Sequence, residues 1–245
     1  MTQVRFDQST GRLQLDQATF DCLLRSVRGD ADPGPEVSAL GQAGVLQSGT
    51  LHPLLDSGLR AVTQPVCRLQ VALTEELGPA KAGEGWVCAD TAALLLDLPD
   101  GSRDFVTVHS SFLPAAIARL VGLGPRPRGG AEPVPLGADL LEGVHSADPA
   151  RRQRACGELN GILRGAPARP PIASWRIWRA EMTWNGREGG VSGRSVQVTD
   201  ADAGLLLAQT EGGHATLWPT TPTAVWRLLI RMLPDTAELR GVAAA

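Results

Sequence analysis

Apolar residues recur three and four positions apart in two separate segments of the chain, each bordered by glycine and proline. This spacing places the apolar residues on one face of a helix, so it predicts two amphipathic helices in each segment. The predicted helices cover Val37 to Val45, Leu51 to Val62, Ala138 to His145 and Pro149 to Leu163.

A strand follows each helical pair, because apolar and polar residues then alternate. The first strand runs from Val66 to Leu73 and presents its apolar residues on one face. The second runs from Trp175 to Trp184, but its apolar phase changes after Ile177. We expect a bulge or a sharp twist near Ile177 to accommodate the change.

Turns that contain glycine separate further strand-like runs in both segments. These turns are Pro99-Asp100-Gly101, Trp184-Asn185-Gly186 and Glu211-Gly212-Gly213. Consecutive strands joined by such short turns must be antiparallel. Each segment is therefore predicted to form an antiparallel meander with helices on one face or at one end.

The two segments end in matching helices, which indicates an internal repeat. Pro114 to Val121 aligns without gaps with Pro222 to Leu229, and both are predicted to be helices that begin at proline. The repeats cover about 36–123 and 138–233, joined by a linker rich in proline and glycine at 124–137. Because each half is small, we predict a single domain, 1–245, whose halves share one sheet about a pseudo-twofold axis.

The composition is that of an ordinary globular chain of 245 residues, with 43% hydrophobic and 20% charged residues. The formal net charge of −3 disfavours a nucleic-acid partner, since general nucleic-acid binders are usually basic. No apolar run approaches the roughly 20 residues that span a bilayer, and the first residues lack a secretory signal. We therefore expect a cytoplasmic protein without membrane insertion, whose four cysteines are buried free thiols.

No residue pattern predicts a catalytic, cofactor or metal site. None of the four histidines has another histidine or a cysteine at metal-ligand spacing. Gly190-Val191-Ser192-Gly193 lacks the second glycine of a nucleophile elbow, and Gly122-Leu123-Gly124 precedes prolines instead of opening a helix. The acidic pairs Glu75-Glu76 and Asp200 with Asp202 could act as acid and base only if folding made carboxylates converge.

Tryptophan is frequent, with six residues in a chain that has no tyrosine. Core packing accounts for most such rings, but exposed tryptophan is enriched at binding hot spots. Trp175 and Trp178 cannot lie on one face of a regular strand, so a ring is exposed unless both sheet faces are covered. We take Trp184 and Trp218 as candidate partner contacts.

From Ala39 onward the sequence resembles the EspG family of type VII (ESX) secretion chaperones. The resemblance covers nearly the whole chain, and its motifs are loose patterns of apolar, glycine and proline residues. The stretches that carry it are Ala39 to Leu46, Gly49 to Leu55, Pro65 with the strand after it, Val198-Thr199-Asp200, Gly204, and Leu217 to Pro222 with the leucine-rich helix after it.

The resemblance implies an α+β fold in which two helical bundles flank a central antiparallel β-sheet with pseudo-twofold symmetry. It also implies a cytosolic, non-catalytic, actinobacterial chaperone that binds the helical tip of a secreted substrate, typically the PPE partner of a PE–PPE pair. In that family the loop after the first long strand contacts the substrate, and here this position falls at Thr74 to Glu84. Glu75, Glu76 and Lys81 are thus candidate partner contacts.

The sequence leaves other functions and partners open. The loop at Thr74 to Glu84 is brief, so a different secreted helical protein is an alternative to a PPE protein. An enzyme or small-molecule binder with a cleft between the halves is the main alternative function. A homodimeric structural subunit is a third, and the chain is compatible with either a monomer or a dimer.

Overall fold

The computed structural model describes residues 4–30, 33–76, 80–127, 132–166, 172–235 and 237–239. Within these ranges the helices are α1 Gln17–Arg28, α2 Pro35–Gln42, α3 Pro53–Thr63, α4 Leu113–Leu120, α5 Ala138–Val144, α6 Pro149–Gly165 and α7 Pro222–Ile230. The strands are β1 Arg5–Asp7, β2 Arg12–Leu15, β3 Leu46–Gln47, β4 Thr50–Leu51, β5 Cys67–Glu75, β6 Lys81–Cys88, β7 Thr91–Asp97, β8 Arg103–His109, β9 Val134–Gly137, β10 Trp175–Asn185, β11 Val191–Ala201, β12 Gly204–Glu211 and β13 His214–Thr220.

A single antiparallel sheet contains eleven of the strands in the described ranges. Their order is β1-β2-β8-β7-β6-β5-β10-β11-β12-β13-β9, while β3 and β4 form a separate two-residue pair. The fold is therefore α+β with a central antiparallel sheet, as predicted. The three glycine-containing turns connect β7 to β8, β10 to β11 and β12 to β13, also as predicted.

The middle of the sheet is the antiparallel pair β5–β10. The two strands match over nine residues, from Cys67 opposite Trp184 to Glu75 opposite Arg176. On each side of this pair the next three strands follow in chain order, β6, β7 and β8 on one side and β11, β12 and β13 on the other. This order is the one that duplicated halves would give, although duplication and a single domain stay predictions.

Two helical bundles lie over the two ends of the same sheet face. In the first, α1, α2 and α3 pack against Trp86, Leu95 and Phe105. In the second, α5 and α6 pack against Ile177 and Leu217. Trp86 pairs with Arg68, and Arg68 pairs with Thr183 of β10, so these three side chains lie on one face of the sheet. Ile177 lies on the same face, because alternate residues of a strand share a face.

Helices α4 and α7 cover the opposite face at the middle of the sheet. Their buried residues Ile117, Val225 and Leu229 pack on the apolar side chains of β5, β10 and β11, including Leu73 and Trp178. Trp178 is 1% exposed, so α4 and α7 bury this part of the sheet almost completely. The two helices also pack against each other across the junction of the halves.

The predicted bulge near Ile177 is absent, and that prediction was wrong. β10 pairs in unbroken register with both neighbours, from Trp175 opposite Ala201 to Asn185 opposite Val191 on the β11 side. The apolar phase changes because both faces of β10 are covered near its start. Trp175 and Ile177 pack under the α5–α6 bundle, while the face that carries Trp178 packs under α4 and α7.

The predicted linker 124–137 is also corrected, because its last residues form a strand. Val134–Gly137 is β9, which pairs with β13 at an edge of the sheet. Val134 and Leu136 are buried, whereas Pro135 points outward at a strand edge, the position in a sheet that tolerates proline. The alternation of apolar residues with Pro135 and Gly137 was the signal for this strand.

Candidate partner-binding site

The turn between β5 and β6 lies at one end of the central strand pair, where the two halves meet. It carries three of the five candidate contacts, Glu75, Glu76 and Lys81. The strands extend to Glu75 and from Lys81, so the loop is shorter than the predicted Thr74 to Glu84. Residues 77–79 lie outside the described residues.

Both acidic residues of this turn form ion pairs. Lys81 Nζ lies 3.1 Å from Glu75 Oε1, and each side chain is more than a third exposed. Arg164 of α6 donates to Glu76 Oε1 at 2.8 Å, and Glu76 is more buried, at 15% exposure. The Glu76 pair fastens the turn to the second helical bundle, whereas Glu75 and Lys81 remain accessible to a partner.

A polar cavity of about 580 Å³ adjoins the turn at the junction of the halves. Its lining residues are Glu75, Glu76, Arg126, Ser174, Trp175, Arg176, Asp200, Ala201 and Asp202. Each acidic side chain in this wall has a partner. Asp202 accepts hydrogen bonds from the Ala173 backbone N–H at 3.2 Å, so it holds the chain that enters β10.

Asp200 is the buried acceptor of a two-arginine clamp. Arg126 donates to both carboxylate oxygens, at 2.7 and 2.8 Å, and Arg176 donates to Oδ2 at 2.9 and 2.6 Å. Both guanidinium groups also donate to the Gly122 carbonyl. The Asp200 carboxylate raises the pKa of Arg126. The clamp therefore ties the segment after α4 to strands of the second half.

A second cavity, of about 500 Å³, lies on the α6 side of the same turn. It is lined by Thr74, Glu75, Glu76, Pro149, Arg152, Gln153, Cys156, Gly157 and Asn160. Thr74 is 3% exposed, and its hydroxyl donates to the Val144 carbonyl at 3.2 Å. The turn is thus bordered by a cleft on each side, and a partner that contacts Glu75 would meet both rims.

His145 ends α5 close to this region, in an environment that disfavours its charged form. Both ring nitrogens are buried and have no hydrogen-bond partner among the described residues. Burial lowers the pKa of His145 to about 4; nearby Arg179 lowers it further, while Glu142 partly offsets them. The ring is therefore neutral at physiological pH, and its two nitrogens are shielded from solvent.

The four cysteines are free thiols, as predicted. Cys22 and Cys67 are buried, while Cys88 and Cys156 are partly buried. Burial raises the pKa of Cys67 to about 11, so its thiol is not activated as a nucleophile. Among the described residues, no group of three or more histidine, cysteine or acidic side chains is placed to hold a metal ion.

Trp184 is a buried residue, so its position differs from that expected of a partner contact. Its side chain is 5% exposed, and the Arg194 guanidinium lies over the ring, 5.2 Å from its centroid. Trp184 lies eight positions after Arg176 on β10, and Arg176 pairs with Glu75, so the two sites are roughly 26 Å apart along the strand. Trp184 therefore belongs to the core at the opposite end of the junction.

Trp218 is exposed, at 45% of its area, on the sheet face that carries α7. It pairs with Leu207 on β12, and β13 lies four strands from β5. At the usual spacing between strands, Trp218 is roughly 19 Å to the side of the β5–β6 turn. The structure thus brings Glu75, Glu76 and Lys81 together and leaves Trp218 at a separate surface.

The sequence did not identify Arg126, Arg164 and Arg176 as members of this site. Arg126 lies in the stretch predicted to be a linker. Arg164 and Arg176 each bind an acidic residue that is far away in sequence, Glu76 and Asp200. The available signal was Asp200, a charged residue close to the apolar residues Val198 and Ala201 near the end of a strand. A carboxylate so placed needs cationic partners when it is buried.

This fold is found among chaperones of protein secretion. No family model and no curated protein matches the sequence. Among solved structures, one similar fold is that of the Mycobacterium tuberculosis type VII secretion system chaperone EspG5, in complex with the PE25-PPE41 dimer. The TM-score is 0.57 at 14% sequence identity, over 93% of this chain and 99% of that chain. The EspG-like fold implied by the resemblance is therefore confirmed.

No helix in the described ranges combines the length and the apolar character needed to cross a membrane.

Proposed function

We propose that this protein is a cytoplasmic, non-catalytic chaperone or adaptor that binds a helical protein exported by a type VII secretion system. The observation that carries the proposal is the agreement of its fold with that of a secretion chaperone over 93% of the chain. The partner is a secreted helical protein, PPE-like or another ESX substrate. The site is the β5–β6 turn with its two adjoining cavities.

The chemistry of the turn supports a protein partner. Glu75 and Lys81 are accessible charges of opposite sign, and such charges fix the orientation of a partner and speed its association. The four carboxylates around the larger cavity are held by arginine, lysine or a backbone N–H, which favours a structural role over acid–base chemistry. The small-molecule alternative gains no support from these contacts.

Co-expression and purification test the proposal directly. A pull-down from the native cytosol with mass spectrometric identification supplies the partner, and size-exclusion chromatography of the co-expressed pair then measures the complex. We expect co-elution as a stable complex and a partner that aggregates when expressed alone. Recovery of no helical protein related to type VII secretion would contradict the proposal.

Charge reversal at the turn tests the location of the site. Lys81→Glu removes the ion pair with Glu75 and reverses one exposed charge, so we expect weaker partner binding, by about tenfold, at unchanged fold stability. The matched control is Arg60→Glu, which breaks the exposed Asp56–Arg60 pair on α3. Equal effects of the two changes on affinity would show that the partner binds elsewhere.

Two tryptophan variants separate surface from core. Trp218→Ala removes an exposed ring and should change stability by less than about 1 kcal/mol, whereas Trp184→Ala removes a buried ring and should cost about 3–5 kcal/mol. Urea denaturation measures both. A loss of partner affinity in Trp218→Ala, compared with the exposed Phe112→Ala on the first half, would extend the site to β13.

A further inference from the structure

The sheet opens on one side of β11. β11 pairs with β10 over eleven residues, but it pairs with β12 over only four, from Val198 opposite Leu207 to Ala201 opposite Gly204. β12 continues to Glu211 in pairing with β13 alone. The β10–β11 and β12–β13 hairpins therefore separate beyond Val198, and a wedge forms between them.

The first half closes the corresponding gap. β6, which holds the same place in the strand order, pairs with β7 over six of its eight residues. In contrast, Val191 to Gln197 of β11 faces no strand on its outer side within the described ranges. Every second residue of this seven-residue edge directs its backbone N–H and C=O away from β10, towards the wedge.

The sequence gives this edge little protection. Natural sheets guard open edges with charged side chains, proline or bulges, and Val191 to Gln197 has only Arg194 among these. Val191 is 79% exposed, and Ser192, Gly193 and Ser195 are exposed as well. The one charged side chain is turned away from the edge.

That charged residue is Arg194, whose side chain lies on the sheet face. It donates to the carbonyls of Arg231 and Leu233 at 2.8 and 2.9 Å and to Glu238 at 2.5 Å. Its guanidinium group also stacks on Trp184. Arg194 therefore anchors the segment after α7 and leaves the backbone of β11 open to pairing.

A buried donor at the apex of the wedge lacks an acceptor. Gln197 is half-buried, and its Nε2 atom is buried without a hydrogen-bond partner among the described residues. Gln197 is the first residue of β11 beyond the pairing with β12. On the opposite face the neighbouring residue is Val196, which belongs to the apolar core under α7.

We propose that the open edge of β11 binds an extended peptide segment of a protein partner by strand addition. Unpaired N–H and C=O groups in strand geometry are complementary to another extended backbone. The segment has an apolar residue beside Val196 and, on the other face, a side chain that accepts from Gln197. This surface goes beyond the proposed function, because it lies at the end of β10 opposite to the β5–β6 turn.

The occupant is an extended peptide segment, because the edge offers seven residues with unpaired backbone groups on one side and a single strand can pair with all of them. Pairing with a second copy of the chain is an outcome that the test distinguishes, since it would protect the same amides in the free protein.

A designed peptide tests the edge on the whole protein. The probe is a blocked peptide of alternating valine and threonine with one lysine at each end, and its control carries an N-methyl group on every backbone amide, which removes the N–H donors of both strand edges. We expect millimolar probe to shift the amide resonances of Val191 to Gln197 and to slow, at least tenfold, the exchange of the alternate amides that face the wedge. The methylated control should do neither.

Proline variants supply the second arm. Ser192 and Ser195 have opposite parity, so one donates its N–H towards β10 and the other towards the wedge. The substitution to proline that leaves the melting temperature nearly unchanged identifies the wedge-facing residue, and it should abolish the response to the probe. Equal responses to both peptides, no response at all, or slow exchange along the whole edge of the free protein would overturn the proposal.

Discussion

Asp200 shows how a single side chain holds the junction of the halves. It is 6% exposed and accepts from Arg126 and Arg176, two arginines that lie 74 and 24 residues away in sequence. A buried carboxylate in such a clamp stabilises the fold only while its partners are complete. Its removal leaves two partly buried guanidinium groups without their shared acceptor.

Asp200→Asn should therefore lower the free energy of unfolding by about 2–4 kcal/mol. The expected loss is smaller than for a fully buried ion pair, because both arginine side chains are more than a quarter exposed. Asp56→Asn is the control, since it breaks an exposed pair on α3 and should cost less than about 0.5 kcal/mol. Urea denaturation measures both. Similar losses would show that the clamp contributes little.

His145 predicts a pH dependence of stability. Its folded-state pKa of about 4 lies below the ordinary value of 6.5, so the unfolded chain takes up the proton first as the pH falls. The stabilisation is complete above pH 6.5 and is lost progressively down to pH 4. His145→Leu should flatten the stability curve in this window.

His214→Leu, which removes an exposed histidine, is the control for this experiment. Arg179 and Glu142, which form an ion pair 2.8 Å apart, are the charged groups that act on His145. Melting temperatures measured from pH 7 to pH 4 would decide the matter. Parallel curves for the wild type and His145→Leu would contradict a contribution of His145 to the pH dependence of stability.

At the scale of elements, the helices that close the two halves begin in different ways. Thr221 caps α7, accepting from the Ala224 N–H at 3.2 Å, while α4 has no side-chain cap and follows a 3-10 turn instead. Both helices have proline in the first turn, as predicted from the aligned sequences. The cap is the feature that the two helices do not share.

Thr221→Ala should cost about 1 kcal/mol, because the Ala224 N–H loses its acceptor at the start of the helix. Thr223→Ala, an exposed threonine in the first turn, is the control and should change stability by less than about 0.5 kcal/mol. Chemical denaturation resolves this difference. A cost at Thr223 as large as that at Thr221 would argue against capping.

Local sequence patterns predicted where the helices, strands and turns lie better than they predicted which elements contact each other. Apolar spacing located α3 and α6 within two residues of their ends, and glycine located the hairpin turns. The phase change at Ile177 was misinterpreted because a single strand does not reveal that both its faces are covered. Likewise, the charges at Glu75 and Lys81 were identified, but the clamp on Asp200 depends on residues brought together only by the complete sheet.

At the scale of the whole molecule, the β5–β10 pair makes each half depend on the other. Nine residue pairs join the halves, and Ala180 and Leu69 are nearly inaccessible at this junction. Either half alone would expose a long apolar edge and one side of α4 or α7. We therefore propose a single cooperative domain.

The protein should accordingly unfold in one transition. Ala180→Arg, a charge buried at the junction, should lower protection from hydrogen exchange in both halves together, whereas Ala115→Arg on the exposed side of α4 should not. Hydrogen exchange followed by mass spectrometry reports on the halves separately. Loss of protection confined to residues 132–239 would indicate two independent units.

The same strand pair has a consequence during synthesis. β5 is made roughly 100 residues before β10, which at ribosomal speed is a delay of about 5–20 seconds. Throughout that interval β5, Cys67–Glu75, lacks its partner strand β10, and its apolar residues Leu69 and Val71 are uncovered. The first half is therefore prone to aggregation until the second half leaves the ribosome and β10 pairs with β5.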